Sequence, residues 1–222
     1  EAEKAGAELR FNDPVTGWSE QSGRIEVRTV SGVHEADRLL LSGGARNPGL
    51  LGPAGRFLSP VRVPVHWIEP PHPNDFRLGE FPVNFWQIPP AGADGQPGYQ
   101  EFYSLPSVTP GTRVKSAIHN RLEPCDPDGT PPVPSPQETE RLRNLLRRYI
   151  PSLSDRPMEG HVCFYTLTPD GDFALGPLSE SDRIFTAALA GHGFKFAPVL
   201  GEILADLIQG KTPEWDMGRF SL

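Results

Sequence analysis

The chain has 222 residues, a net charge of −7 and two cysteines. That length allows one large domain or two small ones. The negative balance argues against the basic face that a nucleic-acid binder needs, and no apolar run reaches the ~18–20 residues of a membrane span. Two cysteines make no disulfide framework, so a reducing, cytoplasmic setting is expected. Many of the 26 prolines fall in pairs and clusters in the middle third, as in long loops between strands.

Residues 1–7 read as the end of a helix closed near Gly6. Short strands are expected at 8–11, 15–19 and 24–30, with Asn12-Asp-Pro14 and Gln21-Ser-Gly23 as turns. The last two alternate apolar and polar residues, the pattern of a half-exposed antiparallel meander. Leu39-Leu-Leu41 is continuous and apolar and runs into Ser42-Gly-Gly-Ala45. A buried strand ending in a Gly turn is where α/β folds bring backbone close to a ligand, and a plain tight turn reads the same way.

Residues 47–60 predict a short helix and a linker. Strands follow at 61–68, 81–88, 100–105 and 114–118, joined by Pro- and Gly-rich loops that include 89–98. Such spacing predicts a mostly antiparallel sheet with one face open as a pocket wall. Leu142, Leu145, Leu146 and Tyr149 fall at helical spacing within 137–150, and Arg141, Arg143, Arg147 and Arg148 are expected on its solvated side. Strands at 162–166 and 184–189 precede a last helix at 197–208 with a wide apolar face.

Lys115 and His119 share a face if their segment is a strand, as a pocket wall requires. From the residues alone, an edge strand with an outward charged face is the favoured reading. Lys195 follows Gly191-His-Gly193 at a helix start, where free N–H groups and a cation would suit an anion. A lysine extending into solvent is the alternative. Cys163, in a strand, reads by itself as a small core residue. His161 and Cys163 form an H-x-C pair without a second pair at ligand spacing, so no metal is expected. G-x-S-x-G, Walker A and an early G-x-G-x-x-G are absent from the 222 residues.

Cys163-Phe-Tyr-Thr166 with Thr168-Pro-Asp170, then Gly191-His-Gly-Phe-Lys-Phe196 and Leu200-Gly-Glu-Ile-Leu204, resembles the family of monomeric sarcosine oxidase and N-methyltryptophan oxidase. Gly210-Lys-Thr212, Phe220-Ser-Leu222, Tyr103-Ser-Leu-Pro-Ser107 and Lys115-x-x-x-His119 extend the likeness, as does 36–41 with Gly44-Ala45. The resemblance implies the C-terminal part of an α/β flavoenzyme of the D-amino-acid-oxidase type. In that part, 1–56 and 151–222 belong to the FAD-binding domain and 57–150 to the substrate domain. It implies FAD joined by a thioether from Cys163 to the flavin 8α carbon. Gly44, Ala45 and the stretch Gly191, His192, Gly193, Phe194 and Lys195 would lie by the cofactor. Lys195 would also pair with the substrate carboxylate. Tyr103, His119 and Tyr165 would line the substrate side, with the substrate side chain near Trp67, Phe85, Trp86 and Tyr103. Lys115 would stabilise charge forming on O₂.

The implied reaction is oxidation of an N-methyl or cyclic amino acid by O₂, with imine hydrolysis and hydrogen peroxide release, in a monomer that acts on small molecules. An amine dehydrogenase with another acceptor, and a substrate domain that catalyses nothing, are the alternatives. The chain departs from the family twice. The N-terminal glycine motif is missing, so a partial sequence that binds FAD poorly and is inactive alone is expected. Arg46 stands where the family commonly has tryptophan.

Overall fold

The computed structural model describes residues 1–89, 100–109, 112–119 and 122–220. In chain order the strands and α-helices are β1 (Val15–Gln21), β2 (Arg24–Thr29), β3 (Val33–Ala36), β4 (Leu39–Leu41), α1 (Asn47–Leu51), β5 (Ser59–Ile68), β6 (Asn84–Ile88), β7 (Gln100–Leu105), β8 (Val114–Ile118) and β9 (Glu123–Pro124). They continue with α2 (Pro136–Tyr149), α3 (Pro151–Ser154), β10 (Met158–Leu167), β11 (Ala174–Pro177), β12 (Ile184–Ala188) and α4 (Ala197–Ile208). The chain forms two compact units, one from Glu1–Leu58 with Leu167–Leu222, the other Ser59–Thr166.

In the first unit β1, β2 and β3 form an antiparallel meander. Its tight turn places Ser22 at φ 51° and Gly23 at φ 77°, the left-handed pair that matches strand twist in a hairpin. β4 pairs in parallel with β12, Leu39 opposite Ile184 and Leu41 opposite Thr186, and β11 runs antiparallel on the other side of β12. Leu200, Ile203 and Leu204 of α4 bury against Leu175 and Ala187, which is the wide apolar face at work. Residues 8–11 are exposed and form no strand, and 1–7 hold only a 3₁₀ turn, Glu3–Ala5, closed by Gly6 at φ 92°. β3 and β11 were not foreseen, since one is short and polar and the other contains Gly176 and Pro177.

In the second unit the described strands make a six-stranded sheet, ordered β10-β5-β8-β7-β6 with β9 also on β5. The registers of β5, β8, β7 and β6 are antiparallel, the arrangement that the strand spacing suggested. One face carries Ile68, Phe102 and Val114, fully buried against Leu142, Leu145 and Leu146 of α2. α2 opens on a capping box: the Ser135 hydroxyl accepts from the Glu138 N–H at 3.3 Å while Glu138 accepts from the Ser135 N–H at 2.7 Å. Arg147 and Arg148 are solvated, but Arg141 and Arg143 are half-buried. Arg143 is retained there because it donates to the carbonyls of Ser154 and Arg156, capping the chain end that follows α3. The expected loop at 89–98 lies, beyond Pro89, outside the described residues.

Candidate functional site

The other face of the six-stranded sheet is built differently. Side chains alternate along a strand, so the register sets which residues meet on it. Trp67 of β5 lies opposite Lys115 of β8, Lys115 opposite Leu105 of β7, Ala117 opposite Tyr103, and Tyr103 opposite Phe85 of β6. Val63, Val65 and Ala117 form the apolar floor, with Trp67, Tyr103 and Tyr165 packed on it. On β10 the exposed positions alternate as Glu159, His161 and Cys163.

Five of the residues singled out in the sequence therefore belong to this one unit: Tyr103, Lys115, His119, Cys163 and Tyr165. Lys115 is not on an edge. It sits on β8, the middle strand of the order, half-buried, with its ammonium 5.6 Å from the Trp67 ring centre. His119 follows β8 directly, where its N–H donates to the Glu101 carbonyl at 2.7 Å. Its ring stands edge-on to Phe85 at 5.2 Å and to Tyr103 at 6.3 Å.

Cys163 is exposed, not packed in the core as a strand cysteine ordinarily is. Burial, reinforced by Tyr165 and Cys163 nearby, pushes the Tyr103 hydroxyl up to about 12. The Tyr165 hydroxyl is raised likewise, by burial first and then by Cys163. Both phenols stay protonated at neutral pH and can donate a hydrogen bond to an anion or a carbonyl.

Trp86 is a correction. It points to the opposite face, stacked on Phe102 at 5.9 Å and touching Tyr149 at 5.0 Å, so it belongs to the core under α2. The period-2 rule carries the reason: Phe85 faces the site, so Trp86 cannot.

The first unit holds the remaining residues. β4 and β12 are parallel and in register, so both end on the same side, each in a left-handed turn. Gly44 is at φ 57°, and Ala190 and Gly191 are at 43° and 77°. Asn47, fully buried, staples the two ends together. It accepts from the Gly43 N–H at 2.6 Å and donates to the Ala187 carbonyl at 2.8 Å, while the Thr186 hydroxyl donates to the Leu41 carbonyl at 3.1 Å. Sequence reading missed Asn47, because an asparagine before a proline looks like an ordinary turn residue.

Gly193 allows the next turn, since a Cβ there would lie 2.2 Å from the Leu189 side chain. That 3₁₀ turn, Gly193–Phe196, leads into α4. Phe194 is 96% exposed, His192 and Lys195 are exposed too, and the Lys195 ammonium lies 5.5 Å from the Phe196 ring. The carboxyl ends of parallel strands, followed by a turn into a helix, are the usual place for a ligand's anionic group in open α/β sheets. Gly44 is exposed and Ala45 half-buried beside these ends.

The profile of the family described as FAD dependent oxidoreductase matches residues 1–207. This chain belongs to that family. Among curated relatives, monomeric sarcosine oxidase of Streptomyces avermitilis is 30% identical over 99% of this chain and 56% of its own length. N-methyl-L-tryptophan oxidase of Citrobacter koseri is 30% identical over 100% of this chain and 56% of its own. The open form of NikD, an unusual amino acid oxidase essential for nikkomycin biosynthesis, superposes with TM-score 0.83 at 24% identity over 99% of this chain and 56% of that one. Glycine oxidase from Geobacillus kaustophilus gives TM-score 0.77 at 21% identity, covering 100% of this chain and 54% of its own.

The chain thus spans about half the length of the relatives it matches. The mixed α/β fold with antiparallel sheets is that of the FAD dependent oxidoreductases, and the likeness read from the Cys163 and Gly191–Phe196 motifs holds. No helix among the described residues is long and apolar enough to cross a membrane.

Proposed function

We propose that the whole protein oxidises a secondary amino acid, N-methylated or cyclic, with O₂. The amine loses two electrons and two protons to become an imine, which water hydrolyses, and O₂ takes both up as hydrogen peroxide. FAD would supply the two-electron chemistry that side chains lack. The reading rests most on the placement of Cys163, Tyr103, Tyr165, Lys115 and His119 in one unit, around one face of an antiparallel sheet.

The residues present fit the cofactor. The Cys163 thiol on β10 is exposed, as a cofactor-linking thiol must be, and Cys163 would hold the covalent link. Lys195, exposed on its turn, is assigned the substrate carboxylate, which a charge-assisted bond holds and orients. The protonated Tyr103 and Tyr165 hydroxyls donate to polar atoms of the substrate, while the His119 and Phe85 rings line its edge. Lys115 presents a fixed positive charge where O₂ is reduced, with no reorganisation needed at that moment.

The test uses the whole protein carrying FAD, in air, with sarcosine, N-methyltryptophan, pipecolate and a glycated amino acid. Stoichiometric hydrogen peroxide with at least one of them is expected. Substrate-driven bleaching of the flavin without peroxide would point to another electron acceptor and overturn the oxidase reading.

A further inference from the structure

The pair His161-x-Cys163 stood out in the sequence and no metal role absorbed it. His161 and its neighbours instead form a continuous set of contacts that ends on Lys115. The His161 ring stands perpendicular to Trp67, centres 5.2 Å apart, and its Nε2 shares a hydrogen bond with Glu159 at 3.0 Å. Glu159 pairs with Arg113, which also reaches Glu69 at 3.4 Å. Arg113 lies just before β8, Glu69 just after β5 and Glu159 on β10, so these charges tie together three neighbouring strands beside Trp67. The indole then faces Lys115, its partner across β5 and β8.

We propose that Trp67 is the positioning residue for Lys115, and that Glu159 and His161 hold the indole in place for that task. The inference rests on the reading that Lys115 serves O₂ reduction. A lysine side chain has four rotatable bonds, and fixing it is entropically unfavourable by up to about 2 kcal/mol. A carboxylate partner would fix it but would cancel the charge that the reaction uses. An aromatic face fixes the ammonium within ~6 Å and leaves its charge intact. The Lys115 ammonium lies over the indole, 5.6 Å from its centre, and among the described residues it forms no ion pair. The supporting ion pairs are themselves half-exposed and contribute little to stability. Their arrangement is therefore better explained by orientation than by holding the fold together.

Two readouts test this in the whole protein. With FAD bound, reduced flavin is mixed with O₂ in the wild type, Trp67→Leu, Trp67→Phe, His161→Ala and Lys115→Met. Trp67→Leu is expected to slow reoxidation of the pre-reduced flavin about tenfold, and Trp67→Phe to recover most of the loss. Slow reoxidation in Lys115→Met with normal reoxidation in Trp67→Leu overturns the positioning role alone. Normal reoxidation in Lys115→Met removes the oxygen role of Lys115 and this inference with it. Without FAD, reductive methylation of each lysine is followed by peptide mass. Lys115 is expected to react several-fold faster in Trp67→Leu and about twofold faster in His161→Ala, with Lys195 and Lys211 unchanged. Unchanged Lys115 labelling in both variants overturns the proposal, and His161→Ala, at an exposed position, keeps the test valid if Trp67→Leu does not fold.

Discussion

The two faces of the six-stranded sheet are made from the same strands and do different work. Behind it, Ile68, Phe102, Val114 and the α2 leucines exclude water and make a core. In front, Trp67, Tyr103, Lys115, Tyr165 and Cys163 alternate with them residue by residue, half-buried or exposed. One face is apolar and buried, the other carries aromatic, hydroxyl, ammonium and thiol groups. Because the side-chain period of a strand is two, each core residue fixes the neighbour that must face the site. A one-residue slip would send Lys115 into the core and Val114 onto the opposite face.

Substitutions can separate the two faces, and the largest expected effect is behind the sheet. Phe102→Ala should destabilise the protein by about 3–5 kcal/mol in denaturant unfolding, through lost burial and the cavity left under α2. On the front, Lys115→Met should leave stability within about 1 kcal/mol and slow flavin reoxidation by O₂ about 10²–10³-fold. If Lys115→Met instead unfolds the protein, the front face is structural and the contrast fails.

His66 gives a third probe. It lies on the core side of β5, 2% exposed, sharing a hydrogen bond with Thr139 at 3.0 Å, and its Nδ1 has no partner. Burial first, with Arg143 adding and Glu138 opposing, lowers it to about 4 from its ordinary 6.5. The unfolded chain therefore binds the proton more tightly. Stability is complete above about pH 6.5 and falls as the pH drops towards 4, by up to about 3 kcal/mol, then levels off. His66→Leu should flatten that slope in unfolding measured from pH 7 to 4. The smallest effect is at the α2 cap: Ser135→Ala should lower the unfolding free energy by about 1 kcal/mol without changing flavin chemistry.

Much of the sheet was legible in the sequence, because alternation at 61–68, 100–105 and 114–118 is a direct consequence of its two unlike faces. α4 was read to the residue, since Pro198 and Gly210 punctuate an apolar stripe. Strand order was not legible, and that is why the residues alone favoured an edge for Lys115, where the structure has it on the middle strand. Burial was not legible either: nothing local distinguishes the exposed Cys163 from a core cysteine, or marks Asn47 as a buried staple. Period two alone showed that Phe85 and Trp86 could not both face the site, and the pairing of Trp86 with Phe102 decides which of them is in the core. The clamp on Trp67 depends on β10 lying beside β5, a pairing between residues far apart in the chain.

The most direct measurement of the central claim is whether flavin stays with the chain. The whole protein carrying FAD is precipitated in acid, and flavin absorbance is read in the pellet and the supernatant, for the wild type and Cys163→Ser. The front face of the sheet, with its exposed thiol, predicts flavin in the wild-type pellet and in the supernatant of Cys163→Ser. Free flavin from both proteins would contradict the assignment of Cys163 as its anchor.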